Sequence, residues 1–63
     1  MIEVTGLNSK VFYLNEDNIE KLEQVPETVI TMINDKKYLV KDDVEEILDK
    51  IVSFKKRFMI GHD

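Results

Sequence analysis

Residues 41–58, KDDVEEILDKIVSFKKRF, decide the fold, because the hydrophobic pattern of the chain changes here from strand-like to helical. The apolar residues of this stretch recur at spacings of three and four, and Leu48 widens the stripe to the breadth of a core-facing helix. The recurring positions are Val44, Ile47, Ile51, Phe54 and Phe58. We therefore predict an amphipathic helix over about 43–58, followed by a short tail at 59–63.

The start of this helix has two candidate caps. Asp42 with Glu45, and Asp43 with Glu46, both have the spacing of a capping box, in which an N-cap side chain and a side chain three residues later bond each other's backbone N–H groups. The sequence leaves the choice between them open.

Upstream of the helix, four segments have the pattern of strands, since they are rich in β-branched and aromatic residues and are separated by turn formers. These segments are 2–5, 11–14, 28–33 and 37–40. Residues 19–25 are ambiguous, because apolar side chains three apart indicate either a bulged strand or a short helix. Asn15 is expected to cap one helical turn just before them, and Pro26 predicts a turn just after them.

These patterns together predict an α+β fold. We expect a small antiparallel sheet of four or five short strands, followed by one C-terminal amphipathic helix packed on the sheet, in a single domain over residues 1–63. A domain of this size buries only about 60% of the surface that its unfolded chain exposes. The chain has no Cys with which to form a disulfide. Docking on a partner or forming a homo-oligomer is therefore an expected source of added stability.

The charge distribution argues against a nucleic-acid partner. The net charge is −4, and an acidic body repels phosphate backbones. Residues 55–63 differ from the rest, with three bases and one acid. No apolar run has the roughly 20 residues that span a bilayer, and the N-terminus does not have the pattern of a signal peptide. We expect a cytoplasmic protein without a transmembrane segment.

Catalytic and metal-binding chemistry are not expected. The chain has no Cys, and its single His, His62, is the penultimate residue, so the usual nucleophile and base pairs cannot be assembled. An acidic cluster begins at Asp42 and Asp43, but it has no Gly for the sharp turn of a calcium loop. Acids at a helix start complement the helix dipole, which explains the cluster without a metal. We predict no enzyme activity, no cofactor and no metal.

Two groups of residues are candidates for protein contact. Tyr13 and Tyr38 offer large rigid surfaces with a polar tip, although each also suits a strand. The second group interleaves aromatic and basic side chains at the end of the helix: Phe54, Lys55, Lys56, Arg57 and Phe58. This second group fits a helix end packed on the sheet, an acidic protein patch or a weak contact with a membrane surface.

In order and spacing, the chain resembles the FlbD/SwrD family of flagellar and swarming-motility proteins over about residues 2–58. The matching segments are 2–5, 7–8, 12–15, 19–20, 26–31, 36–38, 40–41, 44–46 and 54–55. Gly6 departs from the family, which commonly has Arg there. Ser9 and Asp35 replace the Gly of two Asn-Gly turns, where we expect Asn8 and Asn34 to accept the left-handed conformation.

This resemblance implies a cytoplasmic accessory of the bacterial flagellum, one that can lie peripherally at the flagellar base and that supports swarming by contacting a motor or stator-associated protein. The alternative is a fragment of a LytTR-like DNA-binding transcription regulator, which residues 19–51 faintly resemble. The net charge favours the flagellar interpretation, because a DNA-binding domain needs a positively charged surface.

Overall fold

The computed structural model describes the backbone of residues 1–60 and the side chains of residues 1–56. It confirms the α+β fold, with five short strands, one 3₁₀ turn and one helix. The elements in chain order are β1 (Ile2–Thr5), β2 (Val11–Leu14), the 3₁₀ turn (Glu16–Asn18), β3 (Ile19–Gln24), β4 (Thr28–Met32), β5 (Lys37–Val40) and α1 (Val44–Ile60). The helix therefore begins one residue later than predicted and runs two residues further. Residues 61–63 of the predicted tail lie outside the described residues.

The strands form two antiparallel sheets. Strands β1 and β2 make a hairpin, and β3, β4 and β5 make a three-stranded meander. A short backbone junction joins the two sheets: Gly6 pairs with Val40, the Leu7 N–H donates to the Leu39 oxygen at 3.3 Å, and the Lys41 N–H donates to the Thr5 oxygen at 2.7 Å. The hairpin thus continues the edge of β5.

Strand β3 resolves the ambiguity of residues 19–25 in favour of a bulged strand. Its pairing with β4 shifts register between Ile19 and Lys21. A bulge adds one residue to a strand, so that Ile19 and Leu22, three apart, both pack against the core. The irregular apolar spacing is therefore the sequence signature of the bulge. The predicted turn at Pro26 follows, and its Val25–Pro26 peptide bond is cis.

The β1–β2 and β4–β5 hairpins close with the same turn. In the first, the Ser9 N–H donates to the Gly6 oxygen at 2.9 Å, and the Asn8 side chain accepts from the Lys10 N–H at 3.0 Å. Ser9 has a φ of 68°, as expected for a type I turn followed by a left-handed bulge residue. The expectation that Asn8 takes the left-handed conformation is wrong, because this turn places that conformation one residue later.

The second turn repeats this geometry. The Asp35 N–H donates to the Met32 oxygen at 2.9 Å, the Asn34 side chain accepts from the Lys36 N–H at 3.1 Å, and Asp35 has a φ of 69°. Here too the left-handed residue is not Asn34 but its successor. Each Asn instead acts as a side-chain acceptor that holds the turn.

The core lies between the two sheets and the first half of α1. Its buried side chains are Ile2, Val4, Leu14, Ile30, Met32, Val40 and Ile47. Ile47 is fully buried and Ile51 is partly buried, as the periodicity predicts. The expectation that Leu48 widens the core-facing stripe is wrong, since 48% of Leu48 is exposed. The hairpin and the meander are too narrow to cover that side of the helix.

Asp43 is the N-cap of helix α1, which decides between the two candidate caps. The Glu46 N–H donates to Asp43 Oδ1 at 2.8 Å, and the Asp43 N–H donates to Glu46 Oε1 at 3.0 Å. This reciprocal pair is a capping box. The Gln24 side chain accepts a further bond from the Val44 N–H at 3.2 Å, so the end of β3 helps to hold the helix start.

Candidate protein-contact surfaces

Asp42, which is not the N-cap of α1, forms hydrogen bonds that join the helix to strand β1 of the β1–β2 hairpin. Its Oδ1 accepts from the Thr5 N–H at 2.7 Å, and its Oδ2 accepts from Lys50 Nζ at 2.7 Å. Lys50 Nζ also donates to the Glu3 oxygen at 2.6 Å. The side chain of Asp42 is only 9% exposed. The pair therefore satisfies backbone groups of β1 while it fixes the direction in which α1 leaves the body.

The electrostatics of Asp42 fit this structural role. Burial raises the pKa of the Asp42 carboxyl, but the hydrogen bonds from Lys50 and from the Thr5 N–H outweigh it, so that the pKa lies below its ordinary value. The carboxylate is consequently charged at neutral pH and is engaged by fixed donors. Its arrangement suits anchoring rather than proton transfer.

Glu16 is a second anchored carboxylate, at the start of the 3₁₀ turn. The hydrogen bond from the Met1 ammonium, 2.8 Å from Glu16 Oε1, holds the pKa of Glu16 below its ordinary value. The Glu16 side chain is 5% exposed. Its neighbour Asp17 lies 3.7 Å from Lys55 Nζ, so the 3₁₀ turn also meets the second half of α1, through an exposed pair that contributes little stability.

A cleft lies at the junction of the two sheets, with a volume of about 320 Å³. Its aromatic wall is formed by Phe12 and Tyr38, whose ring centroids are 5.4 Å apart at an interplanar angle of 46°. The rest of the lining is Gly6, Leu7, Asn8 and Leu39. Leu7 and Leu39 are nearly half exposed. Tyr38, a predicted contact residue, is partly buried and presents one part of its ring to this cleft.

Gly6 keeps this cleft open. A Cβ at this position would lie 2.9 Å from the Asn8 side-chain oxygen and 3.4 Å from Phe12. Any side chain here therefore has to move the Asn8 amide, which bonds the Lys10 N–H. Gly6, which stands where the family in the resemblance commonly has Arg, therefore lies in a cleft with an aromatic wall.

Tyr13 and Tyr38 are not brought together. Tyr13 is 64% exposed and lies with Val11 on the outer face of the hairpin, opposite the face on which Phe12 meets Tyr38. Alternation of side chains along β2 imposes this separation. The two tyrosines therefore belong to different surfaces.

The helix-end candidates lie partly within the described side chains. Phe54 is 37% exposed and lines a depression of about 220 Å³ beside the start of β1, together with Met1, Ile2, Glu3, Lys50 and Ser53. Lys55 and Lys56 are exposed. The side chains of Arg57 and Phe58 lie outside the described residues. The described part of this surface combines one aromatic ring with two cations on an otherwise acidic chain.

The sequence interpretation missed the anchoring residues. Asp42 was considered as a cap and as part of an acidic cluster, and Lys50 and Glu16 were not singled out. One signal was available: of two competing N-cap residues only one can cap, so the other is free for a different contact. The partner, Lys50, carries no comparable signal, because the contact depends on how the helix crosses β1.

The described residues form a small α+β domain with two anchored carboxylates and with open, partly apolar surfaces. Within the described residues, no helix is long and apolar enough to cross a membrane. The family described as FlbD, flagellar and swarming motility proteins, matches residues 1–59. The chain therefore belongs to the FlbD family, which associates it with flagellar and swarming motility. No curated protein and no solved structure matches it.

Proposed function

We propose that this chain is a non-enzymatic cytoplasmic accessory of the bacterial flagellum, which supports motor or stator function by protein–protein contact. The observation that carries the proposal is the family match over residues 1–59. The contact surface that we assign is the exposed part of α1 around Phe54, Lys55 and Lys56.

Two features support a role in contact rather than catalysis. The two carboxylates with lowered pKa, Asp42 and Glu16, are both occupied by fixed structural donors. The two described depressions, beside Phe12 and beside Phe54, are shallow and open to solvent. Ligand-binding pockets are instead usually concave and bury most of the bound molecule.

Charge supports the choice of the helix end. Residues 1–54 carry twelve acids and six bases, whereas residues 55–57 are all basic. Lys55 and Lys56 are exposed and directly follow Phe54 in the helix, so an acidic patch on a partner would find complementary charge close to an aromatic residue. The partner that we propose is therefore an acidic surface of a flagellar motor or stator-associated protein.

The test uses a deletion strain of a flagellated host that carries the chain in the chromosome. Lys55→Glu/Lys56→Glu should lose swarming and lower motor torque while filament number stays normal, because the charge of the surface is reversed. The control, Lys36→Glu/Lys37→Glu, makes the same charge change at the β4–β5 turn, where both lysines are exposed, and should swarm normally. Equal swarming by the two double variants would rule out the helix end as the contact.

Site-specific photo-crosslinking identifies the partner. A photoreactive amino acid at Lys56 should capture a motor or stator component in swarming cells, and the same group at Lys37 should not. A deletion strain that keeps full swarming and full torque would overturn the motility role itself.

The remaining partner classes are separated with purified protein. A basic helix end on anionic vesicles gains only about 1 kcal/mol per base close to the surface, so sedimentation with such vesicles should be weak and lost at physiological salt. A gel shift at physiological salt should show no binding to duplex DNA, because the body is acidic. Tight binding in either assay contradicts the proposal.

A further inference from the structure

Strand β2 has an open edge, whereas the outer edges of β1 and β3 are protected. The Gly6 N–H donates to the Lys10 oxygen, and hydrogen-bonded and non-bonded pairs alternate in an antiparallel ladder. The Thr5–Val11 and Glu3–Tyr13 pairs are therefore the non-bonded ones. The backbone groups of Val11 and Tyr13 consequently point away from β1, towards solvent.

The opposite edge of the hairpin, on β1, is closed by the rest of the chain. Asp42 accepts from the Thr5 N–H, the Lys41 N–H donates to the Thr5 oxygen, and Lys50 donates to the Glu3 oxygen. These bonds occupy both outward-facing backbone groups of Thr5 and the outward-facing oxygen of Glu3. Among the described residues, no strand pairs with the outer edge of β2.

The far edge of the meander is protected in a different way. Strand β3 carries Glu20, Lys21 and Glu23, all exposed, and a bulge after Ile19. Charged side chains and bulges are the features by which proteins prevent unwanted pairing at sheet edges. Strand β2 has neither: its sequence, residues 11–14, is VFYL, without a charge and with a regular register.

We propose that β2 pairs antiparallel with β2 of a second copy of this chain, about a two-fold axis at Phe12. This register opposes Val11 to Tyr13 of the other copy, twice by symmetry. Each of these pairs exchanges two backbone hydrogen bonds, and the pairing uses the outward groups of Val11 and Tyr13. The inference does not depend on the proposed motility function.

The side chains of β2 favour pairing with a second copy of this chain. Val11 is 52% and Tyr13 is 64% exposed on the outer face, and the two-fold pairing sets them beside each other as β-branched and aromatic neighbours, a favourable cross-strand combination. In the same register Lys10 opposes Leu14, the uncharged last residue of β2 in the other copy. No like charges oppose one another along the paired strands, although each chain has a net charge of −4.

Amide hydrogen exchange of the full chain, measured by NMR at about 10 μM and about 1 mM, gives a readout specific to this edge. The N–H groups of Phe12 and Leu14 face β1 and should be protected at both concentrations. Those of Val11 and Tyr13 should exchange fast in dilute solution and become protected at high concentration, with the molar mass rising from 7.4 kDa towards twice that value. A chain that stays monomeric, or a dimer without new protection at Val11 and Tyr13, overturns the proposal.

Two variants test the same edge without disturbing the ladder to β1. Tyr13→Lys puts a charge on an exposed side chain, and Val11→Pro removes an outward N–H, a change that edge strands tolerate. Each should raise the Kd of the dimer about tenfold or more while the fold, checked by circular dichroism, persists. The control Leu39→Lys makes a similar change at an exposed residue of β5 and should leave the Kd unchanged. If Leu39→Lys dissociates the dimer and Tyr13→Lys does not, the interface lies elsewhere and the proposal fails.

Discussion

Asp42 precedes helix α1 in the chain, yet its Oδ2 lies 2.7 Å from Nζ of Lys50, roughly two turns into the helix. Through the Thr5 N–H and the Glu3 oxygen, the same pair also bonds the backbone of β1. One ion pair thus joins the loop before the helix, the helix itself and the first strand. In a chain of 63 residues with a thin core, this contact is a main determinant of helix position.

Replacement of Asp42 should be costly. Asp42→Ala leaves the Thr5 N–H and the Lys50 ammonium without their acceptor, and we expect a loss of about 1–3 kcal/mol in the free energy of unfolding. Urea titration followed by circular dichroism measures it. Asp49→Ala, which removes an exposed carboxylate from the same helix, is the control and should change stability by less than about 0.5 kcal/mol. Similar losses in both variants would mean that Asp42 has no special role.

The coupling between Asp42 and Lys50 should be smaller than the loss in Asp42→Ala. Because about a third of the Lys50 side chain is exposed (35%), solvent screens the pair, and a double-mutant cycle with Lys50→Met should give about 1 kcal/mol. The remaining loss in Asp42→Ala comes from the Thr5 N–H. A coupling energy of zero would assign the whole effect to that backbone bond.

Acid should weaken the fold through Asp42. Its pKa is lower in the folded chain than in the unfolded one, so the stabilisation is fully present above the unfolded pKa and is lost as the pH falls through the folded pKa. Asp42→Asn should therefore be less stable than the unsubstituted chain at pH 7, and the difference should shrink below about pH 4. Urea midpoints across this range measure it. Asp49→Asn provides the comparison, and an unchanged difference at low pH would contradict the prediction.

Glycine should stabilise the two hairpin turns. Ser9 and Asp35 have φ values of 68° and 69°, a conformation that costs a residue with a Cβ about 1–2 kcal/mol. Asp35→Gly should raise the free energy of unfolding by about 0.5–1 kcal/mol. Ser9→Gly should give less, because Ser9 Oγ accepts from Lys41 Nζ at 2.5 Å. Thermal unfolding measures both changes.

The neighbouring residues supply controls for the glycine prediction. Lys10 and Lys36 have no positive φ, so Lys10→Gly and Lys36→Gly add unfolded-state entropy without relieving strain, and should be neutral or destabilising. If these changes stabilise the chain as much as Asp35→Gly does, the left-handed conformation is not the cause.

Truncation of two adjacent residues on α1, Ile47 and Leu48, should lower the free energy of unfolding by different amounts. Ile47 is fully buried and Leu48 is 48% exposed, so Ile47→Val should cost about 0.5–1.5 kcal/mol. Leu48→Ala removes more atoms but should cost less than about 0.5 kcal/mol, since it opens no cavity. Urea denaturation measures the free energy of unfolding of the two variants and so shows which side of the helix faces the sheet. A larger loss for Leu48→Ala than for Ile47→Val would contradict the prediction.

Much of the fold was predictable, because its signals are local. The capping-box spacing and the recurrence of Ile47 and Ile51 predict the helix, and the apolar runs separated by turns predict the strands. Residues 19–25 were ambiguous for a physical reason. A bulge produces a three-residue apolar spacing, and only pairing with β4 distinguishes it from one turn of helix.

The contact surfaces were predictable only as single residues. Tyr13, Phe54, Lys55 and Lys56 are exposed, whereas Tyr38 packs beside Phe12. Composition shows which side chains suit an interface, but strand pairing decides which of them share a face. Tyr13 and Tyr38 are separated for this reason.

By itself, the sequence determined the α+β class, the strands on either side of residues 19–25, the C-terminal helix, the absence of cysteine chemistry and the membership of a motility family. These properties depend on residue identity and short-range spacing. The tertiary structure alone decided that Asp43 caps the helix, that Asp42 and Lys50 close the edge of β1 and that the edge of β2 stays open. Such choices depend on which distant backbone groups come within hydrogen-bonding distance, and that distance is set by the packing of the helix across the hairpin.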